Sequence, residues 1–440
     1  MRLLWTISIV PYLFWPANAD FTFMQHRALS QHEAPPPAEF TVPFTAKVPR
    51  RKSKLATGRW EMRSFREATV SLDGANFETE YLTNITVGGQ NFSVIVDTGS
   101  SDTWIIQKGF MCSDANGNPV SESTCAFGSQ GFDREESKTF QGPFPNALCN
   151  LTYGSGFFLN GPIGFDNIAI GGLSVSHQEI CLPTQARYEG DGIFSGILGL
   201  AFPAGINVFN TTVPANASDG NRLPFDPFFF SAVKEKKVKR PFFSVALNRG
   251  TFGQESNDQF DPNLGFLSFG GIAPVPVVNT SVTVPIQGYQ GDSIFNSTPS
   301  DSPDAEFVFY TINVDSYTFP RSSGLLTASN NTILDTGTPV NIVPTDVAAA
   351  YTAAFNPPAT LIPTTNGLQI YVVDCNATAP DFLVTIGNTT FSIDPQDQGP
   401  GTLAVDPDSV LVLGAVFLRN VVATFNPMAR EVTLTQRTKY

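Results

Sequence analysis

Val94-Ile95-Val96-Asp97-Thr98-Gly99-Ser100 is the stretch that decides the fold, because the chain contains it almost twice. The second copy, Ile333-Leu334-Asp335-Thr336-Gly337-Thr338, places its aspartate 238 positions after Asp97. Each copy begins with a short apolar run. Each is followed, many residues later, by a second apolar run that ends in glycine: Gly196-Ile197-Leu198-Gly199 and Val410-Leu411-Val412-Leu413-Gly414. The same ordered pair of elements in both halves points to a duplicated unit. Two such units packed about an approximate two-fold axis bring equivalent residues face to face, and Asp97 then meets Asp335.

Two carboxylates in contact cannot both ionise cheaply, so they hold one proton between them and their pKa values split. One group can then take a proton from water while the other gives one to a carbonyl oxygen. The neighbouring letters suit that work. Gly99 and Gly337 permit a tight turn and close backbone approach, and Ser100 and Thr338 place a hydroxyl within reach of a carboxylate. A lone Asp-Thr-Gly is an everyday turn sequence. Two copies with matched flanks are not.

Composition narrows the classes. A chain of 440 residues can build two substantial domains. With 42% hydrophobic residues, 36 glycines and 34 prolines, it reads as turn-rich and mostly β. A net charge of −13 argues against a nucleic-acid partner. That charge is uneven: residues 20–66 hold nine basic and four acidic side chains, everything after them 16 and 35. Of three histidines, His26 and His32 fall before residue 67, leaving His177 alone in the body. This weighs against a histidine metal site and leaves a serine or cysteine enzyme a single base. His177 itself reads as an ordinary surface or strand residue.

Residues 1–19 have the form of a secretory signal: Arg2, an apolar run from Leu3 to Phe14, then Ala17-Asn18-Ala19. No later run is long and apolar enough to span a bilayer, and Thr433–Tyr440 offers no lipid-anchor tail. Sequons at Asn84, Asn91, Asn150, Asn210, Asn216, Asn279, Asn296, Asn330, Asn376 and Asn388 favour a glycosylated, secreted protein without a membrane anchor.

The two motifs and their apolar runs resemble those of pepsin-type aspartic endopeptidases, in particular secreted fungal ones, and the likeness covers residues 67–440. It implies a mostly β, bilobal fold with a cleft between two related lobes, here 67–248 and 249–440. It also implies an endopeptidase acting on proteins or peptides in acid, as a monomer, with catalytic Asp97 and Asp335 and neither metal nor organic cofactor. Tyr153-Gly154-Ser155-Gly156 matches the family's flap, a hairpin that closes over bound peptide, and Trp104 matches the residue that supports the flap tyrosine. Substrate contacts are expected from Tyr153, Gly154, Ser155, Gly99, Gly337 and Thr338. Ile95, Phe194, Ile197 and Ile333 match pocket positions, although each would serve equally as core. Thr98, Thr336 and Ser100 are expected to support the pair.

Residues 20–66 then read as a propeptide that inhibits its own enzyme. Lys47-Val48-Pro49 through Lys54 resembles the basic first part of such segments, and a charge run over an acidic cleft would hold it shut. A processing site after Arg50-Arg51 is the competing expectation. Cys112 with Cys125 and Cys149 with Cys181 are the expected disulfides, leaving Cys375 as an unpaired buried thiol. Helices are expected at 228–239 and 343–355, a crossing strand at 242–247, a strand region at 387–393, a closing stretch at 412–425 and an exposed insertion at 291–305. Two positions depart from the family: Pro339 stands where a serine or threonine is usual, and Ser195 replaces a frequent aspartate. A lysosome-like or vacuolar compartment is the alternative location. A scaffold that binds peptides without cutting them would be expected to show damage at an aspartate, a motif glycine or Tyr153, and none is damaged. A hydrolase using the two aspartates as metal ligands is the remaining rival.

Overall fold

The structure, a computed structural model, describes residues 38–46, 80–128, 131–154, 156–190, 192–249, 261–290, 298–300, 306–320, 324–363, 369–374, 376–398, 402–405 and 410–440. The fold is mostly strands and bilobal, and the duplication read from the sequence is visible in its hydrogen-bonded register. In the first half, Gln90–Asp97 pairs antiparallel with Leu82–Val87 through the Gly88-Gly89 turn. On its other side it pairs parallel with Gly196–Gly199, which sets Ile95 opposite Ile197 and Asp97 opposite Gly199. In the second half, Gly324–Leu334 pairs antiparallel with Thr311–Phe319 and parallel with Leu411–Leu413, which sets Ile333 opposite Val412.

The glycine closing each apolar run is required by space. A Cβ on Gly199 would lie 2.4 Å from the carbonyl carbon of Ser101, and one on Gly414 would lie 2.2 Å from the carbonyl oxygen of Val340. In each half, then, backbone crosses directly over the segment that follows the aspartate.

Beneath both halves runs an antiparallel platform in the order Phe40–Ala46, Asp261–Phe269, Phe243–Leu247, Val421–Asn426, Glu431–Arg437 and Val277–Pro285. Several of the chain's 38 phenylalanines form a ladder of rings on it. Phe229 lies 5.0 Å from Phe243 and Phe243 5.0 Å from Phe425, with Phe425 in turn 4.6 Å from Tyr310 and Tyr310 5.0 Å from Phe202, ring centroid to ring centroid. Each ring removed from water contributes roughly 1.5–3 kcal/mol, so this ladder binds the platform firmly. Tyr310 also donates its hydroxyl to the Leu200 carbonyl at 2.7 Å, tying the second half to the end of the first half's apolar run.

Local elements depart from the sequence expectations in two places. The helix expected over 228–239 spans Phe228–Lys234 only. It buries Phe228, Phe229, Phe230 and Ala232 and stops where the lysines have nothing to cover, with Lys236 at φ 56°. The expected 343–355 helix begins at Thr345, because Asn341–Pro344 is a strand. The strand region at 387–393 is the second arm of a hairpin, Phe382–Ile386 with Thr389–Ile393, turned at Gly387 and Asn388. The crossing strand is Phe243–Leu247, and the closing stretch is a strand, a one-turn helix at Ala415–Leu418 and the strand Val421–Asn426.

Both expected disulfides are present, Cys112–Cys125 and Cys149–Cys181. Within the expected insertion, Thr298–Ser300 pairs with Gly288–Gln290, and the rest lies outside the described residues. Cys375, residues 1–37 and the basic run at 50–54 lie outside them as well. No helix among the described residues is long and apolar enough to cross a membrane.

Candidate active site

The two aspartates sit on loops that are near copies of each other. Asp97 accepts the Gly99 N–H at 2.7 Å on one oxygen and the Ser100 hydroxyl at 2.5 Å on the other. Asp335 accepts the Gly337 N–H at 2.7 Å and the Thr338 hydroxyl at 2.6 Å. Between the loops lies a reciprocal lattice. Thr98 Oγ1 accepts the Thr336 N–H and donates to the Leu334 carbonyl. Thr336 Oγ1 accepts the Thr98 N–H and donates to the Val96 carbonyl. Two residues per loop aim the carboxylate, and one residue per loop locks it against its twin.

The loops meet closely enough to exclude any side chain at their glycines. A Cβ on Gly99 would fall 2.4 Å from the Asp335 carboxyl carbon, and one on Gly337 would fall 2.6 Å from Asp97 Oδ1. Each carboxyl therefore lies against the glycine of the opposite loop. Burial raises the Asp97 pKa well above the ordinary carboxylate value, and the Asp335 charge adds to the rise; the Ser100 and Gly99 hydrogen bonds oppose it.

A hairpin of Leu148–Thr152 and Phe158–Ile170 turns through Tyr153, Gly154 and Gly156. The turn is closed by Gly156 N–H to the Tyr153 carbonyl at 2.8 Å and Tyr153 N–H to the Phe157 carbonyl at 2.9 Å. The buried Trp104 donates its indole N–H to the Tyr153 hydroxyl at 2.7 Å. Ile95, Phe194 and Ile197 share one buried cluster with Trp104, and Tyr153 packs against it. Ile333 is buried but lies outside that cluster, on the strand leading to Asp335. Ser155 lies outside the described residues.

The family model for eukaryotic aspartyl protease matches residues 80–437, which takes in both loops and the hairpin. The chain belongs to that family. A probable aspartic-type endopeptidase of Aspergillus fumigatus is 32% identical over 382 residues, covering 80% of this chain and 77% of its own. Rhizopuspepsin of Rhizopus chinensis is 26% identical over 83% of this chain and 80% of its own, and rhizopuspepsin-1 of Rhizopus niveus 27% identical over 84% and 82%. The protein is an aspartic-type endopeptidase.

Three features of this protease escaped the sequence reading. Tyr188 packs among five rings, with centroids 4.7 Å from Phe157, 5.6 Å from Phe127, 5.7 Å from Phe194, 5.9 Å from Trp104 and 6.2 Å from Tyr153. Its place six residues before Phe194, amid polar letters, gave no periodic signal. Asp102 and Glu179 are both buried in the first half. Asp102 accepts the Asn207 N–H and side-chain amide, each at 2.9 Å, yet burial pushes its pKa up to about 6. Burial raises Glu179 well above the usual range, the Asp102 charge adds to this, and its Oε1 has no hydrogen-bond partner.

Of the two departures from the family pattern, Ser195 is buried and joined to the sheet by its backbone, N–H to the Ser93 carbonyl at 2.8 Å. Pro339 follows Thr338, whose carbonyl accepts the Ala415 N–H at 2.8 Å, and the proline has no N–H of its own to offer.

Proposed function

We propose that this endopeptidase cuts proteins in acid through a water molecule shared by Asp97 and Asp335. The water attacks the scissile carbonyl as the pair takes its proton, and the pair's own proton passes to the carbonyl oxygen. The tetrahedral diol then collapses as the pair gives a proton to the amide nitrogen and takes one back from a diol hydroxyl. The C–N bond breaks, the amine and the carboxylic acid leave, and no covalent enzyme intermediate forms. Base and acid belong to the pair as a unit. What supports this reading is one observation: the carboxyls face each other, each aimed by a hydroxyl and an N–H from its own loop.

Tyr153, Gly154 and Ser155 of the flap, with Gly99, Gly337 and Thr338, are the proposed contacts to the peptide. Ile95, Phe194 and Ile197 line an apolar site on the N-terminal side of the scissile bond, with Ile333 near Asp335. Burying a large apolar side chain there is worth roughly 1.5–3 kcal/mol, enough to dominate selection at one subsite. Digesting a peptide library with the acid-treated protein, with fragments read by mass spectrometry, tests both points. Large apolar residues should lead before the cut. A profile led by Lys or Arg, or cleavage strongest at neutral pH, would sink the reading.

The enzyme is secreted as a zymogen, with 1–19 as signal and 20–66 as propeptide. A segment carrying +5 opposite a body carrying −19 is held best when the carboxylates are ionised, and should release as they protonate below roughly pH 4–5. Purified zymogen followed by mass from neutral to acid pH checks this. If it stays full-length and inactive throughout, a separate processing protease is the better account.

A further inference from the structure

Arg187 closes the short strand Gln185–Arg187, which runs antiparallel to the flap's second arm and places Arg187 directly opposite Phe158. Its guanidinium centre lies 5.0 Å above the Phe158 ring. One terminal nitrogen donates to the Gly156 carbonyl at the flap tip at 2.5 Å, the other to the Ala115 carbonyl at 3.4 Å. Ala115 belongs to a turn whose backbone is cross-braced by Asp114, which accepts the N–H groups of Asn116 and Asn118. The Cys112–Cys125 disulfide anchors the strand entering that turn. The guanidinium therefore spans from a braced loop to the tip of the hairpin. Among the described residues no carboxylate pairs with it.

The next residue works on the flap from within. Tyr188 packs its ring on Phe157 and Tyr153, inside the cluster that holds Trp104. The flap is thus held twice by consecutive residues, its tip carbonyl by a cation and its tyrosine by rings. Only a planar fork can bond two carbonyls while lying over an aromatic face; an ammonium on a flexible stem cannot.

We infer that Arg187 is the positioning residue of the flap, latching the Gly156 carbonyl to the 114–118 turn so that Tyr153 stays bonded to Trp104 before substrate arrives. A hairpin tip this exposed would otherwise sample many heights, and each peptide would have to order it on binding. The latch acts on substrate capture and leaves the aspartate chemistry alone. The inference rests on the proposed function, since it assumes that the flap covers bound peptide.

The test uses the full chain with Trp5, Trp15 and Trp60 replaced by Phe, so that Trp104, the last of four tryptophans, is the sole emitter whether or not the leader is removed. Arg187→Gln should raise KM for an eight-residue peptide about tenfold, the scale of one lost charge-assisted hydrogen bond at a partly solvated site. Its kcat should stay within about twofold, because the transition-state contacts remain. Acrylamide quenching of Trp104 in the ligand-free protein should increase. Arg187→Lys, which keeps the charge without the fork, should resemble the Gln variant. Phe158→Leu, which removes the ring and keeps both hydrogen bonds, should shift KM and quenching in the same direction by less. An unchanged KM in folded Arg187→Gln overturns the latch. So does a fall in kcat with KM intact, or complete rescue by Lys. A parent protein that cleaves nothing defeats the proposed function instead, and Trp104 quenching alone then decides the latch.

Discussion

The two Asp-Thr-Gly loops carry the same hydrogen bonds to within about 0.1 Å at the carboxylates, yet what stands behind them differs. Behind the first are a ring cluster, the Tyr153 hairpin and three buried acids, Asp102, Asp166 and Glu179, none bonded to a cation among the described residues. Behind the second are Pro339, a buried Asn341 that accepts the Gly414 N–H, and a helix. Its buried acid, Asp397, is clamped by Arg249 through two bonds of 2.8 and 3.1 Å. The likeness is confined to groups the chemistry needs twice. The difference concerns what surrounds them: the Tyr153 hairpin and the acids whose pKa burial raises, Asp102 and Glu179, belong to the first half.

The largest expected effect breaks the likeness itself. Asp97→Asn and Asp335→Asn should each reduce kcat by more than about a thousandfold, because an amide can neither share the proton nor act as base. Each variant should keep its cooperative unfolding, since the amide oxygen still accepts the glycine N–H and the amide NH2 can donate to the hydroxyl that the carboxylate accepted from. Near-normal turnover in either folded variant would show that the loops are not equivalent partners.

That likeness was legible in the sequence because it is written in consecutive letters. Asp97 to Ser100 and Asp335 to Thr338 aim their own carboxylates locally, and the glycine-ended runs fix which strands lie beside them. The asymmetry was not legible. Tyr188 reaches the flap through tertiary packing, from the position just after a strand of three residues too short to show a period. Glu179 is hidden for a different reason. Along Leu173–Cys181 the alternation holds until a register shift opposite Asp166–Ile168, where His177 adopts φ 54°. Past that bulge both faces of the strand are covered, so Gln178 and Glu179 are both buried, where alternation along a half-exposed strand would bury only one of them. The twofold pattern of a strand predicts faces only while its phase is kept. The helix at 228–234 was overextended for a related reason: apolar letters set where it starts, but nothing in a lysine-rich run says where burial ends.

A second test sharpens the contrast between the buried acids. Asp102 has its pKa raised from the ordinary 3.8 to about 6, so between those values the folded chain holds a proton that the unfolded chain has lost. Stability from this group is complete below the lower value and is lost as pH rises through the higher one, a fall of about 3 kcal/mol. Glu179 and Asp97 move in the same direction. Urea unfolding from acid to neutral pH should therefore show a declining midpoint. Glu179→Gln should flatten the decline and leave the acid end nearly unchanged, because its Oε1 loses no partner. Hydrogen exchange should rise first in Leu173–Cys181 and only later in Phe382–Ile386, the strand pair of the second half. Simultaneous loosening of both strands, or a midpoint that does not move with pH, would dissolve the distinction between the halves.

The smallest effect probes whether the loops lock each other equally. Thr98→Val strands the Thr336 N–H and the Leu334 carbonyl, and Thr336→Val strands the Thr98 N–H and the Val96 carbonyl. All four residues that carry these groups are buried, so each stranded group bears its desolvation cost. Valine has nearly the shape of threonine, so the change reports hydrogen bonds and little else. Each variant should lose about 2–3 kcal/mol in urea unfolding at acid pH, and the two losses should agree within about 1 kcal/mol. Thr→Ser at either position keeps the hydroxyl and should recover most of the stability. The two hydroxyls serve different bonds and never bond each other, so the double variant tests how the lattice is built. Losses that add mean two independent pins. A double variant no worse than either single one means that breaking one pin already releases both loops, and the floor then acts as a single cooperative unit. The reciprocal geometry favours addition. A large loss at Thr98 with none at Thr336 would overturn the equivalence, because the same bond pattern would then carry load on one side only.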